Sequence, residues 1–229
     1  MSPCRARLSP CSPPVLIAAL SAAILLVGCM SRARVEYIVH SRDAPGVDER
    51  ITALTPAHWD YMDGFADRLV ARGPTLSADG EQHTGSVHIV ALADADAARS
   101  FVADEPYNRA GLYAEHAIVR FVNLLGRTMW ERPPAPDVPQ STFVIARWPA
   151  IPAGEATIRA ARDAVRARPD TWIFLGLLVT EDGGRCVGVA AAADASAHDA
   201  EVALRGVLRA LQQERALAEI HRWQRGGRR

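Results

Sequence analysis

The chain has 229 residues, enough for one large domain or for two small domains that each bury a core. Its 26 Lys+Arg residues balance 26 Asp+Glu residues, so no net field favours nucleic acid as a partner. There is no CxxC pair and no histidine at metal-ligand spacing from a cysteine, which argues against structural zinc and a disulfide framework. The four cysteines are Cys4, Cys11, Cys29 and Cys186, the last in an apolar strand pattern typical of a core thiol.

The first 29 residues allow two interpretations. Arg5 and Arg7 precede an apolar run at 15–27 that suits a signal peptide, and residues 26–29 (LVGC) resemble a bacterial lipobox. In that case Cys29 would carry a lipid and the protein would be a membrane-anchored lipoprotein. Alternatively, translation starts at Met30, just before the first predicted strand, and the protein is cytoplasmic.

A strand and a helix are predicted next. Residues 35–40 are rich in β-branched and aromatic side chains, and a loop composition follows at 43–46. Thr55 and Pro56 form an N-cap followed by proline at the first helical position, and a glycine–proline pair at 73–74 is a stop signal. We therefore expect a helix from about residue 56 to 72.

His58 stands out on this helix. It shares one helical face with Met62, Phe65 and Leu69, and that face must pack on a sheet, so His58 is expected to point inward. Two roles are open for an inward histidine. It is a buried ring satisfied by a backbone carbonyl, or a general acid/base at the mouth of a pocket.

The rest of the first half completes a βαββαβ order. A hairpin is expected to turn at Asp79–Gly80, a second helix has Ala98, Phe101 and Val102 on its inner side, and a final strand alternates in polarity. The predicted bounds are 74–77 and 85–92 for the hairpin strands, 94–104 for the helix and 114–123 for the last strand.

Several of these segments resemble the YCII-related (YciI-like) family. They are the strand ending at Asp43, the helix start at 56–62 (PAHWDYM), the turn at 71–74 (ARGP) and the segment at 105–112 (EPYNRAGL), where the family has DPYxxAGL. The resemblance covers about residues 35–123, and Glu105 departs from the family's usual aspartate. It implies the dimeric α/β-barrel superfamily, in which two ferredoxin-like units pack sheet against sheet around a central cavity.

The resemblance also implies a site built on a histidine–aspartate pair. His58 is then the candidate acid/base and its partner is Asp43 or Asp79, although Asp79 also fits an ordinary hairpin turn. Tyr107 and Arg109 are candidates for substrate binding, while a surface role for the arginine remains open. The reaction class associated with the family is dehydrochlorination of a chlorinated aromatic intermediate, without metal or organic cofactor.

The second half repeats the pattern after a proline-rich segment. Three landmarks recur at a constant offset of 103 positions, and this indicates an internal duplication. They are Gly73 with Gly176, Asp79–Gly80 with Asp182–Gly183, and Gly85 with Gly188. The predicted elements are strands at 142–148, 172–180, 185–193 and 216–223, and helices at 154–168 and 196–213.

The copy is degenerate at the site. Ala161 stands where His58 would recur, and no second EPYNRAGL segment follows. Asp182 is retained without the histidine, which favours the turn role for Asp79. His221 lies in the last predicted strand without an obvious partner and is expected to be a solvent-facing or capping residue.

The predicted fold is α+β, with two ferredoxin-like βαββαβ units packed sheet to sheet as an intrachain dimeric α/β barrel. The layout is a signal-like segment or over-extended start at 1–29, a YCII-like domain at 30–129, a linker at 130–140 and a degenerate repeat at 141–229. The expected function is a cofactor-independent small-molecule enzyme of lyase or hydrolase type, and the alternative is a non-catalytic ligand-binding or regulatory module. The expected assembly is a monomeric pseudo-dimer or a homodimer, in contact with a membrane only if Cys29 is lipidated.

Overall fold

The computed structural model describes residues 34–135 and 141–226. The predictions for Cys29 and Met30, and those for residues 136–140 of the linker, lie outside these ranges. No helix in the described ranges is long and apolar enough to cross a membrane. Their elements are β1 (Val35–Asp43), α1 (Asp48–Asp63), β2 (Leu69–Leu76), β3 (His83–Leu92), α2 (Ala95–Ala103), α3 (Pro106–Arg109), β4 (Tyr113–Asn123), a 3₁₀ turn (Met129–Glu131), β5 (Ser141–Pro152), α4 (Glu155–Arg166), β6 (Trp172–Val179), β7 (Arg185–Ala193), α5 (Ala197–Ala210) and β8 (Ala218–Trp223).

The described strands form one closed barrel in the order β1-β3-β2-β8-β5-β7-β6-β4. Each half contributes four antiparallel neighbours, β4-β1-β3-β2 and β8-β5-β7-β6, which is the ferredoxin-like arrangement. The halves join edge to edge, with Thr75 opposite Trp223 at one seam and Phe121 opposite Leu178 at the other. The predicted α+β fold of two ferredoxin-like units is confirmed, and at each seam an edge strand of one half pairs with an edge strand of the other over part of its length.

Alternation along the strands separates an inner core from two outer layers. On β1, Ile38 belongs to the barrel interior, whereas Tyr37 and Val39 face outward and pack with α1 and α2. The interior core draws on both halves, including Val87, Ile89, Phe121, Phe143, Phe174 and Trp223. These apolar side chains fill the middle of the barrel, and the first half also has space between its helices and the outer face of its sheet.

The predicted bounds of the first helix are wrong. α1 begins at Asp48, with acidic side chains in its first turn, and it contains Pro56. Proline has no N–H to donate to the carbonyl of Thr52, but the helix continues through it. Leu69 belongs to β2, because the residues beyond Phe65 supply the strand that pairs with β3 and meets β8.

The second helix of the first half agrees closely with its prediction. α2 spans Ala95–Ala103, and the side chain of Asp94 accepts a hydrogen bond from the backbone N–H of Ala97 at 3.0 Å as its N-cap. The three side chains expected on its inner side, Ala98, Phe101 and Val102, are all buried.

The 103-residue offset also relates the elements. β2 and β6 have bounds that differ by this offset, and α1 and α4 end at Asp63 and Arg166, which differ by the same number. The landmark glycines therefore lie on matching strands and turns. The duplication that would explain this correspondence stays a prediction.

Candidate functional site

A cavity of about 110 Å³ lies between α1, α3 and the outer face of the first sheet. Three histidines, a tyrosine and an arginine contribute to its walls, so several polar groups are available to a ligand there. Its lining residues are Ile51, Thr55, His58, Arg72, Gly73, Pro74, His83, Ser86, His88 and Tyr107.

His58 is paired with a glutamate. Its Nδ1 lies 2.6 Å from Oε1 of Glu105, and the two side chains are only 12% and 4% exposed. Oε2 of Glu105 accepts a hydrogen bond from the backbone N–H of Asn108 at 3.0 Å and caps α3. Both carboxylate oxygens are thus engaged. Because a carboxylate can only accept, Nδ1 of His58 is the donor in this contact, which leaves Nε2 as the ring atom that faces a ligand.

The predicted aspartate partners do not contact His58. Oδ2 of Asp43 lies 2.5 Å from Nδ1 of another histidine, His83. Asp79 lies in the exposed turn between β2 and β3, where hydrogen bonds from Ser77 and the Glu81 backbone lower its pKa. The expectation of an aspartate beside His58 is therefore wrong, and Asp79 has the turn role that its repetition as Asp182 favoured.

Glu105 was missed as the partner although one signal pointed to it. It occupies the position where the family usually has aspartate, directly before Pro106. The longer side chain both caps α3 and reaches His58, which is 47 positions away in the sequence. Sequence spacing alone does not show that Glu105 contacts His58, because the two residues are brought together only by folding.

Tyr107, a candidate for substrate binding, is one of the residues that line this cavity. Its ring stacks on His58 with centroids 4.4 Å apart and an angle of 2° between the planes, and its hydroxyl hydrogen-bonds Thr55 Oγ1 at 2.9 Å. Burial is the main cause that raises the pKa of the tyrosine, so it stays a neutral phenol. Arg109 is exposed at the end of α3 and is not among the lining residues.

Two further histidines were missed by the sequence analysis. His83 begins β3, and His88 lies on the same strand with its ring centroid 5.5 Å from that of His58. His88 is buried, and burial, followed by the positive charges of His58, Arg72 and His83, lowers its pKa well below the usual value. The direction of this shift favours the neutral form of the His88 ring.

The second half lacks a matching site in the described residues. Ala161 is fully buried in its core, and no short helix corresponding to α3 follows α5. Cys186 is a buried free thiol in the same core, and burial raises its pKa, as expected of a core cysteine. Across residues 34–135 and 141–226, no group of three or more His, Cys, Asp or Glu side chains could hold a metal ion.

Comparisons with known proteins give a family match within the first half of the chain. Residues 35–122 match the family model described as YCII-related domain. An uncharacterized protein of Haemophilus influenzae is 28% identical over 92 residues, which cover 37% of this chain and 94% of that protein.

Of two similar solved structures, one covers less than half of this chain and the other covers most of it. One is 5-chloro-2-hydroxyhydroquinone dehydrochlorinase from Burkholderia phenoliruptrix in complex with 2,5-dihydroxybenzoquinone, with 28% identity, 38% of this chain and 93% of that chain covered, and a TM-score of 0.37. The other is a chlorite dismutase variant from Candidatus Nitrospira defluvii in complex with cyanide, with 8% identity, 83% and 90% coverage, and a TM-score of 0.53. The second likeness concerns the fold alone and extends over both halves.

Proposed function

We propose that the YCII-related domain at residues 35–122 is the catalytic half of a small-molecule enzyme that works by general acid–base chemistry. His58 is the acid/base and Glu105 is its positioning residue. The observation that carries the proposal is the 2.6 Å contact between His58 Nδ1 and Glu105 Oε1 at the wall of the cavity.

A histidine held in this way suits proton transfer. The carboxylate fixes the ring orientation and stabilises the imidazolium that forms when Nε2 takes a proton. Tyr107 stacks on one face of the same ring, and this contact restricts rotation of the imidazole out of the cavity. A positioned group of this kind typically contributes about 100-fold to 10,000-fold in rate.

The small volume of the cavity limits how much of a substrate can enter it. Its volume of about 110 Å³ is smaller than the roughly 150 Å³ of a protein cavity known to hold benzene. Because the walls offer imidazole, hydroxyl and guanidinium groups, a small oxygenated group fits better than an apolar one. We place the reaction in the lyase or hydrolase class, with dehydrochlorination of a chlorinated hydroquinone as the first candidate.

The test compares the wild-type protein with His58→Gln. Chlorinated hydroquinones and small lactones are the substrates, and chloride release and ultraviolet absorbance are the readouts. We expect His58→Gln to lose at least about 100-fold in kcat/KM. His116→Gln, the same change at an exposed position on β4, is the control and should retain full activity. Equal turnover by all three proteins would overturn the role of His58.

A ligand-binding module without turnover is the second candidate. The same imidazole, hydroxyl and guanidinium groups at the cavity wall would hold a ligand by hydrogen bonds without any proton transfer. Calorimetric titration with 2,5-dihydroxybenzoquinone separates the candidates. Binding to the wild type without turnover of any compound in the panel would support the module and contradict the enzyme.

A further inference from the structure

We propose that His83 is a second acid/base group of the same cavity, with Asp43 as its positioning residue. This proposal rests on the proposed function and narrows it. The site would then hold two imidazoles, each fixed through Nδ1 by its own carboxylate, and would move protons at two positions of one substrate.

The two pairs have the same geometry. His83 Nδ1 lies 2.5 Å from Asp43 Oδ2, with side chains 20% and 6% exposed, close to the values for His58 and Glu105. Each carboxylate occupies the Nδ1 side of its ring. Among residues 34–135 and 141–226, neither Nε2 has a hydrogen-bond partner, so both basic atoms are available to a ligand.

Tyr107 connects the pairs. Its ring stacks face to face on His58, and the centroid of the His83 ring lies 6.3 Å away with the planes at 78°. All three rings line the cavity. A ligand in the cavity therefore has an imidazole available from α1 and another from β3, on either side of the tyrosine.

Irregularities in the strands place both members of the second pair. The pairing of β1 with β4 shifts register between Arg42 and Asp43, and such an irregularity turns the side chain at the strand end. His83 begins β3 beyond a second shift, in the pairing with β2 after Thr75.

The pair is not required to join β1 to β3. Those strands are already hydrogen-bonded along their length from Val35 to Arg42. A half-buried histidine–carboxylate contact also has to offset the desolvation of both groups. A role in the cavity explains why these polar groups lie here.

Two fixed imidazoles favour proton relocation over hydrolysis. The Nε2 of one ring removes a proton from a C–H or O–H bond, and the released electron pair forms a new double bond. In a tautomerisation, the other ring, as imidazolium, gives its proton to the atom that receives the electrons at the far end. In an elimination, a halide leaves with the electron pair of its bond to carbon, and the proton is released to water. Neither reaction needs an oxidant or a reductant. The implied substrates are small enolisable compounds, or hydroxylated rings of which one edge enters the cavity.

The test uses His83→Gln and Asp43→Asn beside His58→Gln, with His116→Gln as control. Ring-proton exchange of 1,2,4-trihydroxybenzene in D2O and chloride release from chlorohydroquinone are the readouts. We expect His83→Gln to lower kcat at least 10-fold with KM within about threefold, and Asp43→Asn to lower kcat less. The double variant His58→Gln/His83→Gln should be little slower than the worse single variant, because the rings act as a unit.

The outcomes separate the two proposals. If His58→Gln is inactive while His83→Gln keeps wild-type kcat, the second acid/base is refuted and the proposed function stands. If His58→Gln keeps wild-type kcat, the proposed function fails and the paired mechanism fails with it.

A binding measurement adds a readout that does not need turnover. In ¹⁵N-edited histidine spectra, 2,5-dihydroxybenzoquinone should shift the Nε2 signals of both His58 and His83, and leave that of His116 unchanged. A shift at His58 without one at His83 would exclude His83 from the ligand site, and no shift at either ring would count against both proposals.

Discussion

The side chain of Glu105 makes one contact within its own short helix and one with a distant helix. Oε2 closes the first turn of α3 through the backbone N–H of Asn108, and Oε1 holds His58 on α1. Tyr107 lies on α3, the helix that Glu105 caps, so the position of the stacked tyrosine ring also depends on Glu105. Local helix chemistry and the candidate acid/base are therefore coupled at this residue.

Two substitutions at Glu105 separate these roles. Glu105→Gln keeps an oxygen for the cap and loses the negative charge, so we expect activity to fall at least 10-fold while the melting temperature changes little. Glu105→Ala also loses the cap, and we expect about 1 kcal/mol less stability. Kinetics and thermal denaturation of both variants check this. Wild-type activity in Glu105→Gln would show that the charge does not orient His58.

A glycine lies at each of the two seams where the strands of one half meet those of the other. A Cβ atom on Gly73 of β2 would come within 3.0 Å of the Trp223 ring of β8, and one on Gly176 of β6 would collide with the Phe121 ring of β4. Each seam thus packs an aromatic side chain of one half against a bare backbone of the other. The shape of the seams requires glycine at both of these positions.

We expect Gly176→Ala to destabilise the fold by about 1–3 kcal/mol, the usual effect of overpacking a core. Gly206→Ala is a matched control, since a Cβ atom on this exposed glycine of α5 would meet no neighbouring atom within 4 Å. There the same change should raise stability by about 0.5–1 kcal/mol, through helix propensity. Urea unfolding of both variants measures the difference, and equal effects would contradict the role of the seam.

The barrel as a whole buries histidines from both halves. His40 of β1 lies inside, with its ring centroid 5.3 Å from those of Phe143 and His221. Burial lowers the pKa of His40 from 6.5 to about 3, and the positive charges of His221, Arg42 and Arg147 add to the effect. His221, expected to be a solvent-facing or capping residue, instead stacks against Phe143 within the barrel, and burial lowers its pKa too.

This arrangement predicts acid sensitivity. Between pH 6.5 and about 3 the unfolded chain binds a proton at His40 that the folded barrel does not, so stability falls as the pH is lowered through this range. Above pH 6.5 this histidine contributes no pH dependence. The slope from one such group is at most about 1.4 kcal/mol per pH unit. Urea unfolding at pH 7, 6 and 5 should show a shallower decline for His40→Gln, and an unchanged decline would contradict the assignment.

Local patterns in the sequence were sufficient for much of the fold. Alternation and side-chain spacing predicted the βαββαβ order and the buried face of α2, because these depend on residues a few positions apart. His58 does point inward, but the helical face from which this was inferred included Phe65 and Leu69, which lie beyond the end of α1. The predicted helix start at Pro56 was also wrong. The sequence around Pro56 fits a proline at the first helical position as well as it fits one inside a helix. The length of α1 is decided by tertiary packing, because the residues from Leu69 onward are used in β2.

Only the tertiary structure decided the partners. His58 meets Glu105 across 47 positions and His83 meets Asp43 across 40. Thr75 of β2 pairs with Trp223 of β8, close to the other end of the chain. Such pairings are set by strand register and by the packing of helices on the sheet. The sequence by itself determined which side chains face inward, and closure of the barrel determined which of them touch.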